Sequence, residues 1–267
     1  MVLGLLSMVL FMKHVLVIAG SDPSGGAGVQ ADLTTLKDFG VPSLFAITAL
    51  TAQNDQHVLQ IHPTPADVLT QQLSAACDGR EVGAVKIGMV AESSIVMALV
   101  WFLNARHFPN IVIDPILHSS SGTPLLEKRA YTHLRQQLLP LATVVTPNLD
   151  EAGVFAGLNI FNEETQIKAA KRIYDDVKVL RAGRFPEKPL AIIVKGGHLE
   201  GEAIDVFYDG KEVEVFRAAR IPGPSPRGTG CRFSSAIAAG LAKGSSLQDA
   251  VKAAKDYLTQ YIQQHNQ

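Results

Sequence analysis

An α/β fold on a mostly parallel sheet is predicted by three features: short apolar runs rich in β-branched residues, helix-forming segments alternating with them, and a late two-residue hairpin signal. His14 to Ala19 is the first strand, apolar on both faces as parallel sheets require. A loop over Ser21 to Gly28 opens a helix from Val29 to Phe39, which Gly40 ends. Ser43 to Thr51 reads as the second strand, with Gln53 and Asn54 at its end. Pro65 behind Thr64 starts a helix that reaches Cys77, because proline suits a first helical position. Gly83 to Ile87 is a strand, Glu92 to Arg106 a helix, Ile111 to Asp114 a strand and Leu125 to Leu139 a helix. The strand Thr143 to Thr146 precedes helices over Leu149 to Ala156 and Glu163 to Leu180, and Leu190 to Lys195 is again a buried strand. Asp209-Gly210 then joins Ala203–Tyr208 to Glu212–Arg217 as a hairpin on the sheet edge. Helices over Cys231 to Ala242 and Ser246 to Gln263 close the chain.

With 267 residues, 47% of them hydrophobic, the chain has enough apolar surface for a large core. A net charge of −1 and 18% charged residues point away from nucleic acid and from acidic membranes. The two cysteines, Cys77 and Cys231, stand in unlike contexts and form neither a disulfide framework nor a zinc signature, which suits a cytoplasmic protein. Met1 to Phe11 is apolar but too short to span a bilayer, and it lacks the basic start and cleavage site of a signal peptide. Residues 1–12 are therefore expected to be a disordered extension, ahead of one domain over 13–267.

Polar and glycine residues gather at the expected carboxyl ends of strands, where ligands bind in such sheets. They are Gly20-Ser21-Asp22, Gln53-Asn54, Lys86 with Gly88-Met89, Asp114, Thr146 with Asn148 and Glu151, and Lys195-Gly196-Gly197-His198. Gly228-Thr229-Gly230-Cys231 follows a proline-rich loop and opens an alanine-rich helix, so several amides and the positive helix end converge on one spot. That field is expected to lower the Cys231 thiol pKa. A phosphate-loop motif is excluded in the first glycine loop, where Gly26 and Ala27 replace the required Lys and Ser/Thr. Gly26-x-Gly28-x-x-Ala31 matches a dinucleotide fingerprint, but Thr48, Thr51 and Gln53 stand where an acidic residue is needed. Asn148 and Glu151 admit two readings, a capping box or a carboxylate and amide for hydrated Mg²⁺.

Ile18 to Leu33 resembles the opening signature of the hydroxymethylpyrimidine/phosphomethylpyrimidine kinases of thiamin synthesis. Thr48–Asn54, Lys86–Met89, Thr146–Glu151, Val194–His198 and Gly228–Cys231 are similar to the later motifs of that family, in the same order. The resemblance implies a ribokinase-like three-layer α/β/α sandwich, ATP as phosphoryl donor, Mg²⁺ and a homodimer. It places the pyrimidine among Gly20, Asp32, Gln53 and Met89, with Asp32 and Gln53 bonded to the aminopyrimidine and Met89 on the ring. It puts Cys231 near the attacking hydroxymethyl group and the transferred phosphoryl on the amides of Gly228, Thr229, Gly230 and Cys231. Asn148 and Lys195, with Thr229, lie toward the nucleotide, while Asp114 and Glu151 assist Mg²⁺. Two positions depart from the pattern: Arg227 stands where many members have His, and Arg232-Phe233 where Thr-Leu is usual. The two guanidinium groups beside the loop are expected to bind nucleotide phosphates or the monophosphate of a first-step product, with a surface position for one of them as the alternative. Pyridoxal kinase on the same fold and a non-catalytic pyrimidine-binding protein are the rival readings.

Overall fold

In the computed structural model, residues 12–184, 188–197, 199 and 201–266 are described. Residues 1–11 of the expected extension, together with His198 and Gln267, lie outside them.

An eight-stranded sheet runs β10-β9-β8-β7-β6-β5-β1-β2. Its parallel part comprises β1 (His14–Ala19), β2 (Ser43–Ile47), β5 (Val82–Ile87), β6 (Ile111–Ile113), β7 (Val144–Val145) and β8 (Ala191–Gly196). The antiparallel strands β9 (Ala203–Tyr208) and β10 (Val213–Ala218) close one edge, as the Asp209-Gly210 signal predicts. Side chains of each strand alternate between two cores. Leu16 and Ile18 join one cluster, which helices α2 (Ala66–Cys77), α3 (Ser93–Ala105), α5 (Leu149–Ala156) and α6 (Glu163–Arg181) cover. Val15, Val17 and Ala19 join the other, beneath α1 (Gly28–Asp38), α7 (Thr229–Ala242) and α8 (Leu247–His265). The result is a helix–sheet–helix sandwich.

Two expectations are corrected. The run Ser43 to Thr51 is not one strand: the Thr48 amide makes the last ladder bond, to the Ala19 carbonyl, and the chain bends there with the Thr48 hydroxyl donating to the Met89 carbonyl at 2.6 Å. The chain therefore leaves the sheet and forms a separate hairpin, β3 (Ala49–Gln53) with β4 (Val58–Pro63). The helix expected from Leu125 starts only at Lys128. Leu125 and Glu127 donate to the Leu117 and Ala91 carbonyls and are held extended. That short helix, α4 (Lys128–His133), relaxes into a π turn over Leu134–Leu138 and a 3₁₀ turn at Pro140.

Candidate active site

The polar strand ends meet on one side of the sheet, between α1 and α7. Two glycine loops touch there through their backbones. Gly28 begins α1 with φ +61, and a Cβ on it would lie 2.5 Å from the Gly20 carbonyl oxygen. Gly228 caps α7 with φ +73, where a Cβ would overlap the Gly26 carbonyl and lie 3.0 Å from the Ala27 Cα. Left-handed backbone and lack of room both demand glycine at these two positions. Helix α7 has no side-chain cap, and its first intrahelical donor is the Arg232 amide to the Gly228 carbonyl. The preceding amides of its first turn remain for an anion.

Lys195, at the end of β8, completes the positive side. Its Nζ would lie 3.0 Å from a Cβ on Gly230, so the ammonium and the α7 terminus address the same space. Lys195 also donates to Asp114 Oδ1 at 2.7 Å, and that carboxylate accepts from Thr146 Oγ1 at 3.1 Å and Ser234 Oγ at 3.4 Å. Despite burial, which acts the other way, Lys195 and Lys86 hold the Asp114 pKa below its ordinary value.

Asn148 and Glu151 form a capping box at α5. Asn148 Oδ1 accepts from the Glu151 amide at 2.9 Å, and Glu151 Oε2 from the Asn148 amide at 2.8 Å. Burial pushes the Glu151 carboxyl up to about 7, with Lys195 opposing and Asp114 adding to the rise. Among the described residues, the capping box leaves Oε1 bonded only by a 3.4 Å contact from the Leu117 amide. Among the described residues no three His, Cys, Asp or Glu side chains are grouped to hold a metal. Two carboxylates near an anion site suit Mg²⁺, which keeps waters and binds largely through substrate phosphates.

Cys231 sits where the two loops join, and the Gly28 amide donates to its sulfur. The expected lowering of its pKa is overturned. Burial pushes the thiol up to about 11, and the attraction of Lys86 does not offset this. Desolvation of a thiolate outweighs the helix field.

Asp32 belongs to a buried ion pair. It is fully buried, and both its oxygens accept from Lys86 Nζ at 2.8 Å while Oδ1 also accepts from Ser235 Oγ at 2.8 Å. Lys86 is itself completely buried, so each charge needs the other. The sequence reading noted Lys86 only as a strand-end residue and passed over Ser235. A lysine inside an apolar strand and an aspartate on the apolar side of α1 are the signal that pairs them.

Gly20 and Met89 adjoin each other. A Cβ on Gly20 would be 2.9 Å from the Met89 sulfur, and Met89 packs in a small apolar cup with Ala49, Ala91, Ile61 and Ile116. Gln53 ends β3 at the rim and is half-buried. The two arginines differ: Arg227 is fully engaged, whereas Nε and Nη1 of Arg232 are buried with no hydrogen-bond partner among the described residues. Arg227 is bonded to the first glycine loop and the β3–β4 hairpin. Arg232 is buried with its guanidinium 4.1 Å from the Tyr261 ring centroid.

Among the described residues no helix is long and apolar enough to cross a membrane. A family model described as phosphomethylpyrimidine kinase matches residues 22–267. A hydroxymethylpyrimidine/phosphomethylpyrimidine kinase of Haemophilus influenzae is 39% identical over 259 residues, covering 94% of this chain and 91% of the relative. The crystal structure of an ADP complex of Bacillus subtilis pyridoxal kinase superposes with a TM-score of 0.80 at 36% identity, over 93% of this chain and 90% of that one. A phosphomethylpyrimidine kinase from Clostridium difficile also gives 0.80, at 34% identity over 94% of this chain and 99% of that one.

Proposed function

Because the chain belongs to the phosphomethylpyrimidine kinase family, we propose that it transfers the γ-phosphoryl group of ATP to the hydroxymethyl oxygen of 4-amino-5-hydroxymethyl-2-methylpyrimidine, then phosphorylates the monophosphate to the diphosphate used in thiamin synthesis. With this reading come Mg²⁺ as the companion of the nucleotide, a cytoplasmic setting and a homodimer. The observation that supports it is the Lys195 ammonium, 3.0 Å from where a Cβ on Gly230 would lie, at the uncapped start of α7.

The ring lies in the apolar cup at Gly20 and Met89, with Met89 against its face and Gln53 at its rim. The hydroxymethyl oxygen then points toward Cys231 and the Gly228–Cys231 amides. Those amides and Lys195 take up charge on the phosphoryl group in flight, in a site where positioning and neutralisation supply most of the rate. Thr229 and Asn148 line the nucleotide side. Asp114 and Glu151 would hold Mg²⁺, which would neutralise phosphate charge.

A thiol that stays protonated to about 11 is no base at neutral pH. Cys231→Ser is therefore expected to keep kcat within about tenfold, with the limbs of the pH–rate profile in place. A loss of a thousandfold would make the thiolate the base.

A second expectation follows from Glu151. Between about pH 4.5 and 7 its folded carboxyl keeps a proton that the unfolded chain has lost, so its contribution to stability falls as pH rises through that window. In urea melts without ligand, Glu151→Gln should nearly match the parent at pH 5. At pH 8 it should gain on it by an amount of the order of 3 kcal/mol. An equal difference at both pH values would contradict the raised pKa.

The activity is tested by ADP release from Mg-ATP with hydroxymethylpyrimidine, its monophosphate and pyridoxal, each alone. Turnover with both pyrimidines is expected. Turnover with pyridoxal alone would move the substrate to the vitamin B6 ring, and binding of the pyrimidine without ADP release would make the chain a non-catalytic binder.

A further inference from the structure

Arg227 is the residue whose contacts exceed what a loop needs. Its guanidinium reaches two segments distant in sequence and is mostly enclosed, with 19% of the side chain exposed. Nη1 donates to Ser24 Oγ at 2.9 Å, the Asn54 carbonyl at 3.0 Å and Asp55 Oδ1 at 3.2 Å. Nη2 donates to Gln53 Oε1 at 3.1 Å and lies 3.2 Å from Asp22 Oδ2. Asp22 in turn shapes the first glycine loop. Its Oδ1 accepts from the Ser24 amide and hydroxyl, and its Oδ2 from the Ala27 amide.

We propose that Arg227 is a positioning residue for the ring substrate, acting through Gln53. This rests on the reading above that Gln53 faces the ring. A guanidinium only donates, so the Gln53 amide must turn its oxygen to Arg227 and leave its NH₂ for the ligand. The site then presents a donor at the hairpin rim and reads an acceptor, a bare ring nitrogen, rather than an amine. Because Arg227 directly precedes Gly228, the group that orients the ring contact also anchors the start of the phosphate loop.

The test is steady-state kinetics on the full chain with hydroxymethylpyrimidine and Mg-ATP varied in turn. The variants are Arg227→Ala, Gln53→Ala and the double variant, with Arg227→Lys as the milder change should the alanine variant fold poorly. Arg227→Ala or Arg227→Lys is expected to raise the pyrimidine KM about tenfold, the scale of a lost charged hydrogen bond, and to leave the ATP KM within twofold. Gln53→Ala should do the same, and the double variant should be no worse than Gln53→Ala alone. Multiplying effects in the double variant, or a change confined to the ATP KM, would overturn the positioning role while leaving Gln53 at the ring. An unchanged pyrimidine KM in Gln53→Ala would remove the ring from the hairpin rim, and the inference with it.

Discussion

Gly228→Ala is expected to lower kcat by about a hundredfold or more, the scale on which removal of a single preorganised donor acts. Two costs combine at this position. At φ +73 an alanine adopts the left-handed region at a cost of roughly 1–2 kcal/mol. Its Cβ also enters the backbone of the opposing loop, overlapping the Gly26 carbonyl and pressing on the Ala27 Cα. The strain is relieved only by parting the two loops, which tilts the α7 amides away from the phosphoryl position. Gly25→Ala is the matched control, with φ +77 and nothing within 4 Å of its Cβ. It bears the backbone cost alone and should stay within a few-fold of the parent kcat. Equal kcat values for the two variants, measured at saturating pyrimidine and Mg-ATP, would show that the contact between the loops is not what aligns the amides.

The largest effect on stability is expected from Lys86→Met. Removing one member of a buried ion pair leaves the other charge without compensation and costs about 3–5 kcal/mol. In a chain of this size that corresponds to a fall in Tm of the order of 10 °C. Burial already raises the Asp32 pKa against the pull of Lys86, so the orphaned carboxyl takes up a proton more readily still. A raised carboxyl pKa means stability is lost as pH rises, and the variant should therefore be less handicapped at pH 5 than at pH 8. Adding Asp32→Asn should recover part of the loss. Urea melts of both variants at the two pH values decide this, and a Lys86→Met protein as stable as the parent at pH 8 would mean that the pair is not buried as described.

The strands at the sheet centre were legible because they are apolar on both faces, as Val15 to Ala19 and Ile192 to Val194 show. The ends of β1, β5 and β8 then located the site. Thr48 was not legible as a break, since the chain from Phe45 to Thr51 stays apolar and β-branched. The break goes with the hydroxyl bond from Thr48 to Met89, a partner remote in sequence. Strand β4 was missed because the hairpin turns much of it to solvent, with Leu59 at 69% exposure, and the expected alternation fades. Asp32 and Cys231 were found as residues but misjudged in environment. For both, burial decides the electrostatics, and neither the partner Lys86 nor the depth of the loop junction is written into local spacing.

The junction of the two glycine loops also bears on the order in which the protein matures. Ser24 and Arg227, bonded across it, are 203 positions apart in the sequence. A nascent chain leaving the ribosome has exposed every strand of the main sheet before Gly228 emerges. Contacts of such sequence separation form late, after the loop entropy between them has been overcome. The junction of the two glycine loops therefore closes only after the start of α7 has emerged.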